Sequence, residues 1–518
     1  MKKITLPILM IILLSSAVYG QYTNVMLGQW NYPNEPAIGF SLKNTSTMVV
    51  GANIGNFYYS TDSGENWTAD TLVSTAGDWG DPCIVSDTMG NFYFFHLNRN
   101  NSGVYYDRIV CQKSTDGGKN WSDGTTFGSN NGKTQEKEWA VCDPSTNNLY
   151  ATWTQDDLEG STNPLDSSNI FFSRSTNGGL NWSNPSRINK QAGHCILDGF
   201  GVNGSVVTVG PASEIYVTWA GQLGVMFTHS TDLGNTWPAD NVTVSTLPTG
   251  WGCIIPGIKR GNGLPVIACD RSTGIYSGTI YLNWSDQRNG AGDTDIWLSK
   301  STDGGITWSS PSRVNDDPAG NQNFFSSMTV DQVTGFLYFV FYDRRNYSDD
   351  KTDVFMAISK DGGASFQNFK VSQTPFIPNG AIFFGDYINI MADNNNVRPV
   401  WTRMSNDSLS IWTTRVTAGN VGVRDNEISG PKALEQNYPN PVYNFTNFAY
   451  KVYKASMVTL KIYDLMSKEV AIVFENRFHM PGQYIEHVSV ERIKLPAGIY
   501  FYVLTYGDRI EKRKMVIY

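Results

Sequence analysis

The sequence is poor in the features that mark metal-binding and nucleic-acid-binding proteins. Its six cysteines include no Cys-x-x-Cys pair, which argues against a zinc site. Residues 21–433 are acidic and contain no cluster of lysine and arginine, which argues against nucleic acid as a partner. Two Asp-rich loops, residues 315–317 and 348–350, leave calcium open but lack the EF-hand pattern. We expect no nucleic-acid partner, no required metal and no cofactor.

Long apolar runs are also missing, apart from one at the start of the chain. Lys2 and Lys3 precede an apolar run over residues 4–14, and small or polar residues follow as far as Gly20. This is the composition of a secretory signal peptide, and the run is too short to cross a bilayer. We expect no transmembrane segment, and an exported chain that begins at Gln21.

Six copies of the pattern Ser-x-Asp-x-Gly-x-x-Trp organise the chain that follows. Their Asp positions lie 54 to 71 residues apart, with Asn177 in place of the Asp once and Phe366 in place of the Trp once. An Asp can accept hydrogen bonds from the backbone of its own turn, and Gly permits a positive φ, so each copy predicts a tight hairpin. The copies, which we call boxes, occupy residues 60–67, 114–121, 175–182, 230–237, 301–308 and 359–366.

Short β-rich stretches precede each box. Around the sixth box they are residues 325–331, 336–341 and 353–357, so that each period contains four antiparallel strands, as a propeller blade does. Residues 385–415 supply three more strands without a box, and residues 24–30 supply the fourth strand of that blade. The sequence predicts an all-β, seven-bladed β-propeller, with six blades as the alternative.

The boxes resemble the Asp-box, or BNR, repeats of the sialidase superfamily of β-propellers, over residues 60–366. In that superfamily the boxes lie opposite the active site and recur in propellers of other activity. The resemblance therefore implies the fold more strongly than the reaction. The implied reaction is exo-glycosidic hydrolysis of an extracellular glycan or glycoprotein. One family motif is missing, because residues 34–39 stand where an Arg-Ile-Pro type sequence would supply an arginine.

A different pattern begins at Leu434, where the charge changes from a net −13 over residues 21–433 to +3 over residues 434–518. Segments 437–441, 458–464, 495–502 and 514–518 predict a small β-sandwich. In that order at the chain end they resemble the C-terminal sorting domain of type IX secretion substrates. The resemblance implies a Gram-negative bacterium, handling of residues 434–518 by the type IX machinery, and a secreted or surface-attached product. A carbohydrate-binding sandwich is the alternative.

These predictions divide the chain into four parts: a signal peptide (residues 1–20), a propeller (21–417), a linker (418–433) and a sorting domain (434–518).

The sialidase resemblance implies a catalytic tyrosine that is activated by one carboxylate and assisted by a separate acid. Candidates should come from the loops after the second and fourth strands, on the face opposite the boxes. Tyr387 is the tyrosine that fits this position. Glu138, or its neighbour Glu136, is the activating carboxylate, and Asp81, or Asp78, is the acid.

Sialidases bind their substrate's carboxylate with three arginines, whose guanidinium groups match it in shape and charge. Residues at the ends of second strands could form such a cluster. The repeated Asp-x-Arg pairs also fit bridges between neighbouring blades, which is the alternative. The predicted binding residues are Arg288, Arg344, Arg345, Arg403, Asp343 and Asp386.

Two other functions fit the same sequence. One is a non-catalytic propeller that binds glycan or protein through loop aromatics such as Trp79, Trp139 and Trp251. The other is a lyase or different glycosidase, to which His194 would contribute. Cys195 follows His194, and a disulfide with Cys253 in the next blade is one expectation, with buried free thiols as the other.

Overall fold

The computed structural model describes residues 22–99, 106–130, 132–417, 433–464, 469–506 and 509–518. The chain forms two compact units, Met1–Val421 and Gly422–Tyr518. The predicted signal peptide and nearly all of the predicted linker lie outside the described residues. Within the described ranges, no helix is both long and apolar enough to cross a membrane.

The first unit is built from four-stranded antiparallel sheets whose strands pair in sequence order, as expected of propeller blades. Strand β1 (Asn24–Gly28) precedes them and belongs to the last sheet. The first three sheets contain β2 (Ala37–Phe40), β3 (Met48–Ala52), β4 (Asn56–Ser60) and β5 (Thr68–Thr71); β6 (Gly80–Ser86), β7 (Phe92–Leu97), β8 (Ile109–Ser114) and β9 (Thr125–Phe127); and β10 (Thr134–Cys142), β11 (Leu149–Asp156), β12 (Ser167–Ser175), β13 (Ser186–Arg187) and the added β14 (Gly193–His194).

Three more sheets repeat this order. Between the first and second of them, two short strands form a separate hairpin that sequence reasoning did not predict. The strands are β15 (Asn203–Val209), β16 (Ile215–Gly221), β17 (Gly224–Ser230) and β18 (Val242–Ser245); the hairpin β19 (Gly252–Cys253) and β20 (Gly261–Asn262); β21 (Val266–Cys269), β22 (Ile280–Asp286), β23 (Asp295–Ser301) and β24 (Ser312–Arg313); and β25 (Asn323–Val330), β26 (Leu337–Asp343), β27 (Asp353–Ser359) and β28 (Gln367–Lys370).

The last sheet joins the two ends of the unit. It consists of β29 (Asn389–Asp393), β30 (Asn396–Ser405), β31 (Ser408–Thr414) and β1, with β32 (Val416–Thr417) paired to β30. β1 pairs antiparallel with β31, Asn24 opposite Thr414, as the sequence predicted. The first strand of each of the seven sheets in the described residues contacts the first strand of the next, and β29 contacts β2. The ring therefore closes, and the prediction of an all-β propeller is confirmed.

Each box forms the turn after a third strand. In the first box, Ser60 Oγ donates to Asp62 Oδ1 at 2.8 Å and accepts from the Gly64 backbone N–H at 2.9 Å. Asp62 Oδ1 also accepts from the Asn66 backbone at 3.0 Å. The same serine bonds recur in the other boxes, with Asn177 replacing the carboxylate in the third. The predicted local hydrogen bonding of the turn is present.

The boxes also pack the sheets together. The second glycine of the fifth box, Gly305, has φ +92°, and a Cβ there would stand 2.1 Å from the ring of Phe227 in the preceding sheet. The box Trp308 packs edge-on against the same ring at 5.1 Å. Glycine is therefore required at position 305 both by its backbone conformation and by the closeness of the neighbouring sheet.

The core lies within and between the sheets. Second strands such as β22 and β26 are buried along their whole length, because a neighbouring sheet covers each face. Trp284 of β22 donates its indole N–H to Asp286 at 2.9 Å, which satisfies the polar atom of a fully buried ring. All six cysteines are buried and free. The expected disulfide between Cys195 and Cys253 is not formed; the alternative expectation of buried thiols describes these residues.

The second unit is a small β-sandwich. Its larger sheet has the strand order β35-β34-β37-β38, and β33 pairs with β36 in the other layer. Apolar side chains alternate along these strands, and those facing inward form one core. The elements are β33 (Phe445–Val452), β34 (Ser456–Tyr463), β35 (Glu469–His479), β36 (Gly482–Ser489), α1 (Val490–Ile493), β37 (Gly498–Tyr506) and β38 (Arg509–Ile517).

Candidate functional site

A cavity lies at the centre of the ring, where the first strands of the sheets begin. It encloses about 650 Å³ with its open mouth included, and six sheets contribute to its lining. In an antiparallel sheet the start of the first strand and the end of the third lie at opposite edges. The cavity therefore opens on the face opposite the boxes, where the sequence placed the site.

Backbone irregularities at the start of the inner strands bring charged side chains into this cavity. Asp81 and Lys137 have φ values of +56° and +52°, and each lies within a bulge that interrupts pairing to the second strand. Glu35, just before β2, has a φ of +51°. A left-handed conformation costs a non-glycine residue about 1–2 kcal/mol, and such strain concentrates at functional sites.

Lys137 is the centre of an ionic cluster that draws on four sheets and the β19–β20 hairpin. Its Nζ lies 2.7 Å from Asp386 Oδ2 and 3.5 Å from carboxylate oxygens of Asp81 and Glu35. Arg260 also pairs with Asp386 through two parallel bonds, of which Nε to Oδ1 is 2.9 Å. These two cations lower the pKa of Asp386 below its usual value, although burial alone would raise it.

Glu35 is fixed in the cluster by hydrogen bonds to both of its oxygens. The Asp386 backbone donates to Oε1 at 2.9 Å, and the Asn53 amide donates to Oε2. Burial raises the pKa of Glu35 well above its ordinary value. Sequence reasoning missed Glu35, Lys137 and Arg260. Glu35 lies within residues 34–39, the segment that was considered for its missing arginine.

Tyr387 and Glu138 lie on the wall of the cavity beside this cluster. The Tyr387 hydroxyl donates to the Pro82 carbonyl at 3.4 Å, and its ring meets Trp139 edge-on at 6.0 Å. Burial and the nearby carboxylates of Asp81 and Glu138 raise the pKa of Tyr387. The structure thus brings together Tyr387, Glu138, Asp81 and Asp386 of the predicted set.

Glu138 differs from its neighbours because neither carboxyl oxygen has a hydrogen-bond partner in another residue. The residue is 2% exposed, and burial raises its pKa well above the ordinary value. The adjacent Glu136 also has a pKa raised to about 8, chiefly by burial. Burial without a hydrogen-bond partner favours the neutral, protonated form of Glu138 over the charged form.

The four predicted arginines lie outside the described lining of the cavity. Arg288 binds Asp286, stacks 4.5 Å from the Trp297 ring and donates to Ser245 of the preceding sheet. Arg345 binds Asp343 at 2.7 Å and stacks 4.3 Å from the Phe355 ring. Both pairs have the geometry of bridges within and between sheets, the alternative weighed from the sequence.

Arg344 and Arg403, the other two predicted arginines, also bind residues outside the cavity lining. Arg344 donates to Thr352 at 3.0 Å and pairs with Asp350 at 3.1 Å. Arg403 donates to the carbonyls of Thr374 and Pro375, at 2.7 and 3.0 Å. The structure therefore does not assemble an arginine triad around Tyr387 from these residues.

The remaining candidates lie apart from the cavity. Asp78 is 3.9 Å from the His96 ring, and His194 is 3.8 Å from Asp198. The Trp251 indole donates to the Gly201 carbonyl at 3.1 Å. Among the residues that the structure describes, no group of three His, Cys, Asp or Glu side chains could hold a metal ion.

Fold and sequence together define an exported two-unit protein, a β-propeller followed by a sorting domain. Residues 436–518 match the family model described as "Secretion system C-terminal sorting domain", which confirms that prediction and indicates handling by a secretion system. A secreted or outer-membrane-attached product follows from this match. No curated protein matches the chain.

Several solved structures are similar to the chain at low identity. The NanB sialidase of Streptococcus pneumoniae is 10% identical, with a TM-score of 0.45 over 73% of this chain and 84% of that one. A GH93 α-L-arabinofuranosidase of Fusarium graminearum is 11% identical, with a TM-score of 0.44 over 78% and 99%. A protein of unknown function from Dyadobacter fermentans is 10% identical, with a TM-score of 0.44 over 76% and 97%.

Proposed function

We propose that this protein is an exported glycoside hydrolase whose reaction takes place in the central cavity of the propeller. The observation that carries the proposal is Glu138, a buried carboxyl group on the cavity wall whose oxygens have no hydrogen-bond partner in another residue. A neutral carboxylic acid is the group that protonates a leaving glycosidic oxygen. Such a group is costly to bury without a function.

The surroundings of each side chain suggest its role. Asp81, 3.5 Å from Lys137 Nζ, is the carboxylate that accepts the proton of Tyr387. The Tyr387 oxygen then attacks the anomeric carbon as Glu138 gives its proton to the departing oxygen, and water releases the sugar in a second step. Asp81 and Glu138 thereby exchange the roles that the sequence suggested for them.

Replacing each group tests this proposal. With the intact secreted protein and a panel of aryl α- and β-glycosides that includes sialosides, we expect Tyr387→Phe and Glu138→Gln each to lower kcat by roughly a hundredfold or more. Arg403→Gln, which removes a cation outside the cavity, is the matched control and should retain activity. Turnover that survives both cavity substitutions contradicts the assignment.

A non-catalytic glycan-binding propeller is the second candidate. Trp30 and Tyr32 are each 67% exposed in the loop that leads to Glu35, and large exposed aromatic rings are typical of sugar-stacking surfaces. This function predicts saturable glycan binding that is lost in Trp30→Ala, with no turnover by the wild-type protein.

A further inference from the structure

We propose that the cavity takes an uncharged sugar residue and excludes sugars that carry a carboxylate. This inference rests on the proposed function and names its substrate class. It depends on three features of the cavity: cations that are already paired, carboxyl groups that leave no excess of positive charge, and unpartnered polar atoms that suit hydroxyl groups.

Each cation near the cavity is already paired with a carboxylate of the protein. Lys137 is surrounded by Asp386, Asp81 and Glu35, and its side chain is 10% exposed. Arg260 is about half exposed, and the fork formed by its Nε and Nη2 is occupied by Asp386. A guanidinium group recognises a carboxylate through such a fork, so a substrate carboxylate would have to displace Asp386 from it.

The carboxyl groups leave the cluster without an excess of positive charge. Asp386 and Asp81 contact Lys137, and Asp386 also pairs with Arg260. Glu35 and Glu138, whose pKa values are raised by burial, lie beside them. A substrate carboxylate would lose its hydration in the cavity and would find no unpaired cation to compensate for it. The ionic cluster therefore acts against an acidic sugar.

The unpartnered polar atoms of the lining are of the kind that a sugar hydroxyl can satisfy. They include both carboxyl oxygens of Glu138 and the hydroxyl of Ser205 on the neighbouring inner strand. The lining also contains apolar side chains, among them Val206, Leu264 and Phe325. A lining with both polar atoms and apolar side chains matches a pyranose or furanose ring, which presents hydroxyl groups at its edge and C–H groups on its face.

Matched pairs of substrates test the inference. For each glycoside that the intact protein cleaves or binds, the corresponding uronide differs only by a carboxylate in place of the hydroxymethyl group. With aryl glucosides, galactosides and their uronides, in both anomers, we expect kcat/KM for the neutral member to exceed that of the uronide by roughly tenfold or more. Sialosides should be cleaved no better than uronides.

Asp386→Asn should change this preference in a defined direction. The substitution frees Arg260 and Lys137, so the ratio of neutral-sugar to uronide affinity should fall by roughly tenfold. Affinity is measured in the Glu138→Gln background, with Asp343→Asn as the control that releases an arginine outside the cavity. If Asp386→Asn does not fold, Arg260→Gln replaces it. That variant should leave the ratio unchanged, because Arg260 is not available to the substrate.

The outcomes separate the two proposals. A wild-type preference for uronides or sialosides, or a selective loss of them in Arg260→Gln, overturns the inference and leaves hydrolysis in place. Failure of every glycoside and uronide to bind or react overturns both.

Discussion

At the scale of single residues, the site combines buried glutamates with a charged lysine. Glu136 and Glu138 flank Lys137 on one strand, and the pKa values of both glutamates are raised by burial. Lys137 itself is kept charged by three carboxylates, which raise its pKa. Two glutamates whose neutral form is favoured by burial thus lie on either side of a lysine whose charged form is favoured by its neighbours.

Glu136 makes stability depend on pH. Its pKa rises from an ordinary value of 4.5 to about 8 on folding, so the folded chain binds its proton more tightly than the unfolded chain does. The contribution is therefore present below pH 4.5 and is lost as pH rises through 8, with a slope of at most about 1.4 kcal/mol per pH unit. We expect Glu136→Gln to flatten the fall in Tm between pH 5 and 8, measured by calorimetry.

The matched control is Glu65→Gln, which removes an exposed carboxylate whose side chain is 63% accessible. It should keep the slope of the wild-type protein. An unchanged slope in Glu136→Gln would show that other groups cause the pH dependence.

The sequence predicted part of this site. Tyr387, Glu138 and Asp81 could be nominated because each follows a loop on the face opposite the boxes, and the structure places them on one cavity. Lys137 could not, because strict alternation of a strand puts it on the side opposite Glu136 and Glu138. The bulge in β10 breaks that alternation, and no residue type in the sequence predicts the bulge.

At the scale of elements, each box forms a turn and also packs its sheet against the preceding one. The serine and aspartate positions stabilise the hairpin, and the second glycine lets the preceding sheet approach. The sequence predicted the hairpins because the residues of each box form hydrogen bonds within the same turn. The packing partner of the glycine, Phe227 for Gly305, lies in another repeat and could not be identified from spacing alone.

Substitutions at two adjacent glycines can separate the cost of backbone strain from the cost of lost packing between sheets. Gly304 and Gly305 both have positive φ, but a Cβ at Gly304 meets nothing within 4 Å, whereas one at Gly305 meets Phe227. We expect Gly304→Ala to lower the free energy of unfolding by about 1 kcal/mol through backbone strain. Gly305→Ala should lower it by about 3 kcal/mol, because overpacking is added. Urea unfolding of the two variants measures the difference, and equal losses would contradict the packing role.

At the scale of the whole propeller, the ring is closed by residues far apart in sequence. β1 pairs with β31, and Asn24 donates to the Val371 carbonyl at 2.9 Å. Arg398 of β30 also donates to the Ser63 carbonyl in the first box. Sheet pairing and side-chain bonds therefore both join the last sheet to its neighbours.

Removal of β1 should disrupt the closure of the ring. A chain that lacks residues 22–28 leaves β31 with an unpaired edge, and we expect a Tm at least about 5 °C lower and increased self-association, because exposed edges pair with other chains. Calorimetry and light scattering measure the two effects. A synthetic peptide of residues 22–30 should restore the Tm, whereas a scrambled peptide should not. An unchanged Tm after truncation would show that closure does not need β1.

The pairing of Asn24 with Thr414 also bears on the order of folding. The early blades can form one after another from local hairpins, whereas the final blade needs strands from both ends of the propeller. We therefore expect β1, the first strand of the propeller in sequence, to be among the last to pair.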